Sequence, residues 1–507
     1  MAKLQFNNRG WGSVQAEAGI GLLVAALYVA FLYSLTNFPF SDLPDHLARA
    51  TIIDDLVYRH GANYGQRFAF EPGFLPYVGG DYLLMQLVRG FGAETAGRLW
   101  EVATFLTLPL AVWYLVRAMA LRMRAQLIAM LLSFYLASDF FYTTGMFNFR
   151  WALALTVAAY AAWLRFRGGP GVAAYGLYVA LVVAGYLCHL AAPVLAGAVI
   201  GAVSLRAWLQ RRQSLAVSAW GLLPIALLLA WYMSRSSGLG LASDTLWRSL
   251  PGKVLGLGSS AIRFRAVPDI LLFALFLLAS GAAGLRSGWR GMPDSARDLA
   301  MATAALALLY ICLPVATGMA YDIDGRAAAA VAVFLMLTAL AGVEPTKTWR
   351  QGAPCLAIAL VVALGNLAYV AYEVRPQDQA LGEYRRVLHS LPANAAWLPI
   401  YTLPAIGRYR PFLHADSLAV VDGGPPTPYL FSAANTSFMT YFYFRQPPPT
   451  APPLFWAVDG ETPGHWPTVA QAYDFLVITR PYETALIPLA TTLHAQSTVS
   501  EVLEIVR

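Results

Sequence analysis

Apolar runs long enough to cross a bilayer as single helices recur along most of the chain. They lie near residues 18–36, 97–119, 125–140, 147–164, 172–188, 190–208, 215–233, 268–285, 298–317, 327–343 and 353–373, and they predict a polytopic α-helical membrane protein of about 11 transmembrane helices. The first loop, residues 37–96, breaks the pattern with the acid-rich stretch FPFSDLPDHLARATIIDDLVYRH at residues 38–60. As a helix from about Asp42, this stretch places Asp42, Asp45, His46 and Arg49 on one face at i, i+3, i+4 and i+7, with Leu43, Leu47, Ala50, Ile53 and Val57 opposite. The pattern predicts an amphipathic helix lying on the membrane surface, its ionisable groups turned away from lipid.

From about Arg375 apolar and polar positions alternate, with many prolines and aromatics. Residues 377–391 read as a helix, and residues 397–401, 418–422 and LVITR as strands, the chain ending in EVLEIVR. The prolines at 447–449 and 452–453 predict a stiff extended connection. The chain therefore divides into a transmembrane domain, residues 1–374, and a small C-terminal α/β domain, residues 375–507.

Composition narrows the class. Over 507 residues, 58% are hydrophobic and 12% charged, and the mean hydropathy of +0.54 excludes an ordinary soluble protein. The net charge of +7 does not point to nucleic acid, because basic cytoplasmic loops produce the same excess. Alternate loops do carry it: Arg117, Arg122 and Arg124; Arg165 and Arg167; Arg206, Arg211 and Arg212; Arg286 and Arg290; Lys347 and Arg350. With Lys3 and Arg9 this charge puts the N-terminus in the cytoplasm. An odd number of spans then sends the C-terminal domain to the periplasmic side of a bacterial inner membrane. Cys188, Cys312 and Cys355 lie in apolar surroundings without the spacing of a disulfide or zinc site.

Groups able to do chemistry gather in the outer loops. Asp42 and Asp45 can serve as a general base and an orienting acid, and Asp45 with His46 as ligands for a divalent metal. Both acids also suit helix capping, with Pro44 in the first turn. The loop SDFFYTTGMFNFRWALAL brings Asp139, Tyr142, Asn148 and Arg150, of which Asn148 and Arg150 are candidate sugar contacts. His189 can bind substrate or bond a neighbouring span end, and Asp322, Asp324 and Arg326 can pair with one another or address substrate. The loop 234–269 is basic against the charge rule, with Arg235, Arg248, Lys253, Arg263 and Arg265, which suits a bound phosphate or lipid headgroups.

SDLPDHLARA after the first run, TTGMFNFRWALAL before the fourth and the domain from Arg375 together resemble the GT-C superfamily of lipid-phosphosugar-dependent glycosyltransferases. The likeness is strongest to bacterial relatives of the protein O-mannosyltransferases and of the aminoarabinose transferase acting on lipid A. It implies a polyprenyl-phosphate sugar donor and an envelope glycan, lipid or protein acceptor. Asp42 stands at the place of the activating acid, with Asp45 its partner, and Arg263, Arg265 or Arg326 would stabilise the departing phosphate. Near Asp42 the chain departs from the tight acidic pair typical of the mannosyltransferases, and it shows no recognisable donor-loop signature. Two alternatives from other classes are a flippase for a lipid-linked glycan and a non-catalytic subunit of an envelope polysaccharide system.

Overall fold

Backbone polar groups that face lipid must be satisfied within their own segment, so long apolar runs become helices. In a computed structural model every predicted span falls on one. The structure describes residues 11–169, 171–236, 245–284, 291–317, 320–342, 349–400, 406–430, 441–445, 466–480, 487 and 489–506. Lys3, Arg9, Arg286, Arg290, Lys347 and the prolines at 447–449 and 452–453 lie outside them.

In chain order the elements are α1 (Trp11–Tyr33), α2 (Leu43–Tyr58), β1 (Phe68–Phe70), α3 (Val78–Phe91), α4 (Ala93–Ala118), α5 (Met123–Ala137), α6 (Phe140–Thr143) and α7 (Phe147–Gly168). They continue with α8 (Val172–Cys188), α9 (Ala191–Leu209), α10 (Leu215–Ser236), β2 (Thr245–Leu246), α11 (Leu250–Gly256), α12 (Ala266–Gly284) and α13 (Asp294–Cys312). The last are β3 (Ala316–Thr317), α14 (Ile323–Ala341), α15 (Trp349–Leu388), β4 (Trp397–Ile400), α16 (Leu418–Val421), β5 (Phe442–Phe444), α17 (Trp466–Ala472), β6 (Phe475–Thr479), β7 (Thr491–Gln496) and β8 (Ser500–Ile505). Among the described residues, 6 helices are long and apolar enough to cross a membrane, and four shorter apolar helices accompany them. The protein is thus mostly helical and multi-pass, with a small C-terminal sheet.

Three expectations change. α2 does not lie on a surface: Leu43 to Asp55 are buried on both faces except for the half-buried Thr51. Its apolar side packs on the bundle, and its polar side is covered by α16 and by a 3-10 turn, Ala415–Ser417. The sequence pattern of α2 alone cannot reveal this cover, because it comes from some 370 positions downstream. Second, the C-terminal domain has no helix of its own over 377–391. α15 runs unbroken for 40 residues, past Pro376, from the membrane region into that domain. Third, residues 418–421 are one helical turn rather than a strand.

The terminal sheet has the order β4-β6-β8-β7, with β4 parallel to β6 and the other pairs antiparallel. It connects with the first loop through an antiparallel β1–β5 pair, in which Phe68 faces Phe444 and Phe70 faces Phe442. The Asp378 carboxylate also accepts hydrogen bonds from the Thr36 and Asn37 amides. First loop and terminal domain therefore close on each other around α2.

Candidate active site

The start of α2 is fixed by the second loop. The Asp42 amide donates to the Thr144 carbonyl at 3.0 Å. Gly145 has φ +78°, and a Cβ there would stand 2.7 Å from the Asp42 nitrogen. Only glycine fits this combination of left-handed backbone and close approach. We expect Gly145→Ala to cost about 1–2 kcal/mol from the backbone conformation alone, measured as a lowered midpoint of thermal unfolding in detergent.

Asp42 holds the N-cap position, yet φ −90° and ψ −11° make it already helical, and its side chain makes no capping bond. The carboxylate is 15% exposed, and His414 Nε2 stands 3.9 Å from its Oδ1. Burial raises this carboxyl to about 8; Asp45 adds to the rise, and Arg326 and Arg49 oppose it. Asp45 Oδ1 accepts from the Ser417 hydroxyl at 2.7 Å, which ties α2 to the terminal domain. Capping by its side chain thus does not account for Asp42.

His46 and Arg49 belong to a different constellation. Arg49 forks onto Asp81 of α3 through Nε at 2.7 Å and Nη2 at 2.6 Å, and Nη2 also donates to His46 Nδ1 at 2.8 Å. The Tyr441 hydroxyl donates to Asp81 Oδ2 at 2.7 Å. Burial holds the imidazole of His46 below its ordinary value, Asp81 opposing and Arg49 adding to the effect. Burial alone would lift the Asp81 carboxyl, but Arg49 and His46 hold it below the usual carboxylate range. As the Nδ1 of His46 is occupied by a guanidinium, it is a poor cation ligand. Among the described residues no group of three or more His, Cys, Asp or Glu side chains has the geometry to hold a metal.

Most of the other predicted contacts are spent on the fold. Arg150 pairs with Asp139 at 2.8 Å and donates to the Leu136 carbonyl. Arg263 binds Asp269 through Nε and Nη2, and its Nη1 reaches the Ser138 carbonyl at 2.8 Å and Asn366 Oδ1 at 2.7 Å. Arg265 is 60% exposed and paired with Glu373. Arg263 thus spends its nitrogens on the fold, and Arg265 holds Glu373 through Nε. Asp322 takes Arg408 at 3.1 Å, and Asp324 takes Lys253 at 2.8 Å, so the acids beside Arg326 pair elsewhere.

Arg326 in the first turn of α14 is the exception. Among the described residues it forms no ion pair, and its Nε is a buried donor without a hydrogen-bond partner. The guanidinium lies 5.9 Å from the centre of the Phe149 ring and within electrostatic reach of Asp42, Tyr77 and His189. His189 Nδ1 accepts from the Ala191 amide at 2.9 Å, which leaves Nε2 to carry the proton and donate to the Tyr77 hydroxyl at 3.1 Å. His189 therefore caps α9 and fixes a tyrosine at the edge of the site. Asn148 packs so tightly on Gly80 that a Cβ there would meet its Oδ1 at 2.0 Å.

The sequence reading did not find Tyr77, Arg408, His414, Ser417 or Tyr441. Four of these five come from the terminal domain, and no local motif marks them. The backbone does mark two, since Tyr77 (φ +75°) and His414 (φ +62°) are non-glycine residues in the left-handed region, where strain gathers near functional sites.

No family model matches the chain, and no curated protein matches its sequence. Solved structures do. The chain is similar to apo ArnT from Cupriavidus metallidurans over 96% of its own length and 98% of that chain, with TM-score 0.57 and 13% identity. The same protein bound to undecaprenyl phosphate matches with TM-score 0.52 and 14% identity, over 98% of each chain. The arabinofuranosyltransferase AftD from Mycobacteria matches with TM-score 0.54 and 17% identity, over 97% of this chain but 40% of its own. The chain thus shares the fold of ArnT and of the arabinofuranosyltransferase AftD.

Proposed function

We propose that the protein is a glycosyltransferase that moves a sugar from a polyprenyl-phosphate donor to a hydroxyl of an envelope glycan, lipid or protein, at the periplasmic face of a bacterial inner membrane. One observation carries this reading: Asp42, whose carboxylate makes no capping bond, and Arg326, which among the described residues forms no ion pair, lie within electrostatic reach of each other at one end of the helical bundle. ArnT, which shares the fold, has been solved bound to undecaprenyl phosphate. The alternation of basic loops supports the orientation, with the N-terminus cytoplasmic and the terminal domain outside.

In the proposed step Asp42 takes the proton of the acceptor hydroxyl as its oxygen bonds to the anomeric carbon. The bond from that carbon to the phosphate oxygen breaks, its electron pair leaves with the phosphate, and the configuration inverts. Arg326 meets the charge that develops on the phosphate, and its unsatisfied Nε is a donor ready for it. Asp42 then loses its proton to solvent. Arg326→Ala is expected to lower turnover about 10²–10³-fold, while Arg326→Lys recovers part of it, because a point charge replaces a fork.

The test supplies purified protein with radiolabelled polyprenyl-phosphate sugars and a membrane acceptor extract, comparing wild type with Asp42→Asn and Asp45→Asn. Transfer that survives both substitutions would remove the catalytic assignment. Translocation of a lipid-linked glycan with no transfer from any donor would replace it by a flippase.

A further inference from the structure

Two pairs of side chains meet at the boundary between the terminal domain and α2. Asp42 and Asp45 are separated by three positions on α2. His414 and Ser417 are also three apart, at the start and end of the 3-10 turn Ala415–Ser417, where residues i and i+3 eclipse. Ser417 Oγ donates to Asp45 Oδ1 at 2.7 Å, and His414 Nε2 stands 3.9 Å from Asp42 Oδ1. Hence one turn of the terminal domain spans both acids. The hydroxyl bond to Asp45 sets the register that places the imidazole over Asp42.

We propose that His414 is a positioning residue for Asp42: its Nε2–H engages Oδ1 and directs the other carboxylate oxygen to the acceptor hydroxyl, so that the terminal domain completes the site. This rests on the reading of Asp42 as the base. The geometry favours it in three ways. The His414 side chain is only 10% exposed, so the imidazole has little room to turn to solvent. Its backbone is held at φ +62°, a conformation that costs a non-glycine residue of order 1–3 kcal/mol and persists where the surroundings impose it. Burial, with His46 adding, holds the imidazole down to about 3, so the group facing Asp42 is a neutral ring, a donor in its Nε2–H tautomer, rather than a second cation. The 3.9 Å gap is longer than a hydrogen bond and closes as Asp42 ionises, with or without substrate, because the charged carboxylate draws the Nε2–H to it.

Asp42 is faced by Asp45 and Arg49 of α2, by Arg326 of α14 and by His414, with His46 beside the imidazole. Of these, only His414 offers a neutral donor that one substitution removes without changing the charge. His414→Leu deletes the donor and keeps the bulk, whereas His414→Gln keeps an amide N–H at about the same reach. Donation stabilises the carboxylate, so in His414→Leu Asp42 is expected to titrate about half a unit or more to the alkaline side. Infrared difference spectra of the carboxyl stretch, identified by its loss in Asp42→Asn, read this without any substrate. In the radiolabel assay His414→Leu is expected to lower kcat about 10–100-fold with KM little changed and to move the pH profile to the alkaline side, and His414→Gln to restore much of both.

An Asp42 titration identical in wild type and His414→Leu, in protein with an unchanged unfolding midpoint, overturns the proposal. So does equal loss in the Leu and Gln variants. Asp42→Asn with full turnover would instead defeat the assignment of Asp42 as the base, while the infrared arm would still report the contact itself.

Discussion

Asp42→Asn is expected to lower sugar transfer about 10²–10⁴-fold, the usual contribution of a positioned general base, while making the protein more resistant to unfolding at alkaline pH. Both effects have one origin. A carboxyl raised to about 8 by burial and by Asp45 is neutral in the resting protein over most of the physiological range. Turnover in the wild type therefore rises with pH and levels off above about 8. Stability runs the other way. The folded state holds the Asp42 proton up to about pH 8 and the unfolded chain releases it near 4, so folding binds a proton between these values and stability falls as pH rises through them. The asparagine has no charge to bury, so its advantage grows from pH 4 to 8 and stays constant above. Asp45→Asn acts differently: it removes a charge that raises Asp42, so the rate profile moves towards acid pH with a smaller loss at the plateau. Rate–pH profiles and unfolding midpoints of the three proteins check each part. A wild-type rate flat from pH 5 to 9 would show that Asp42 does not titrate in catalysis.

The candidate base was legible in the sequence and its surroundings were not. The helical period of Asp42, Asp45, His46 and Arg49 correctly placed four polar groups on one face of α2, because that period depends only on local geometry. What the face meets depends on residues beyond 400, and no short-range pattern reports such a contact. As a result α2 read as a surface helix, although its polar side lies under His414, Ser417 and Tyr441. The partners of the cations are hidden from the sequence for a related reason. Arg263 and Arg326 look alike in sequence, each near the mouth of a predicted span. Asp269, six positions on from Arg263, takes its guanidinium, whereas Asp322 and Asp324 beside Arg326 turn to Arg408 and Lys253. Among the described residues Arg326 forms no ion pair, because other cations have taken its neighbours. The α15 boundary failed differently, since the change in composition from about Arg375 read as a break that the helix does not make.

Asp81→Ala is expected to cost about 3–5 kcal/mol, a large part of the stability of an ordinary domain. Asp81 is 1% exposed and accepts from Arg49 twice and from Tyr441 once, joining α2, α3 and the terminal domain at one carboxylate. Without it the Arg49 guanidinium, fully buried, keeps only the neutral His46. An uncompensated buried charge costs far more than the pair contributes, so replacing both partners, as in Arg49→Met with Asp81→Leu, is expected to recover most of the loss. The pH dependence is opposite in sign to that of Asp42. The folded carboxyl of Asp81 lies below its unfolded value, so its contribution is complete above about pH 4 and is lost as the pH falls below that. Equilibrium unfolding of the two single variants and the double variant, at pH 7 and at pH 3, measures the coupling directly. A double variant as unstable as the sum of the singles would mean that Arg49 and Asp81 do not act as a pair. Because the junction they hold also seats His414 and Ser417 over α2, Asp81→Ala is expected to lose transfer activity before it loses secondary structure on heating.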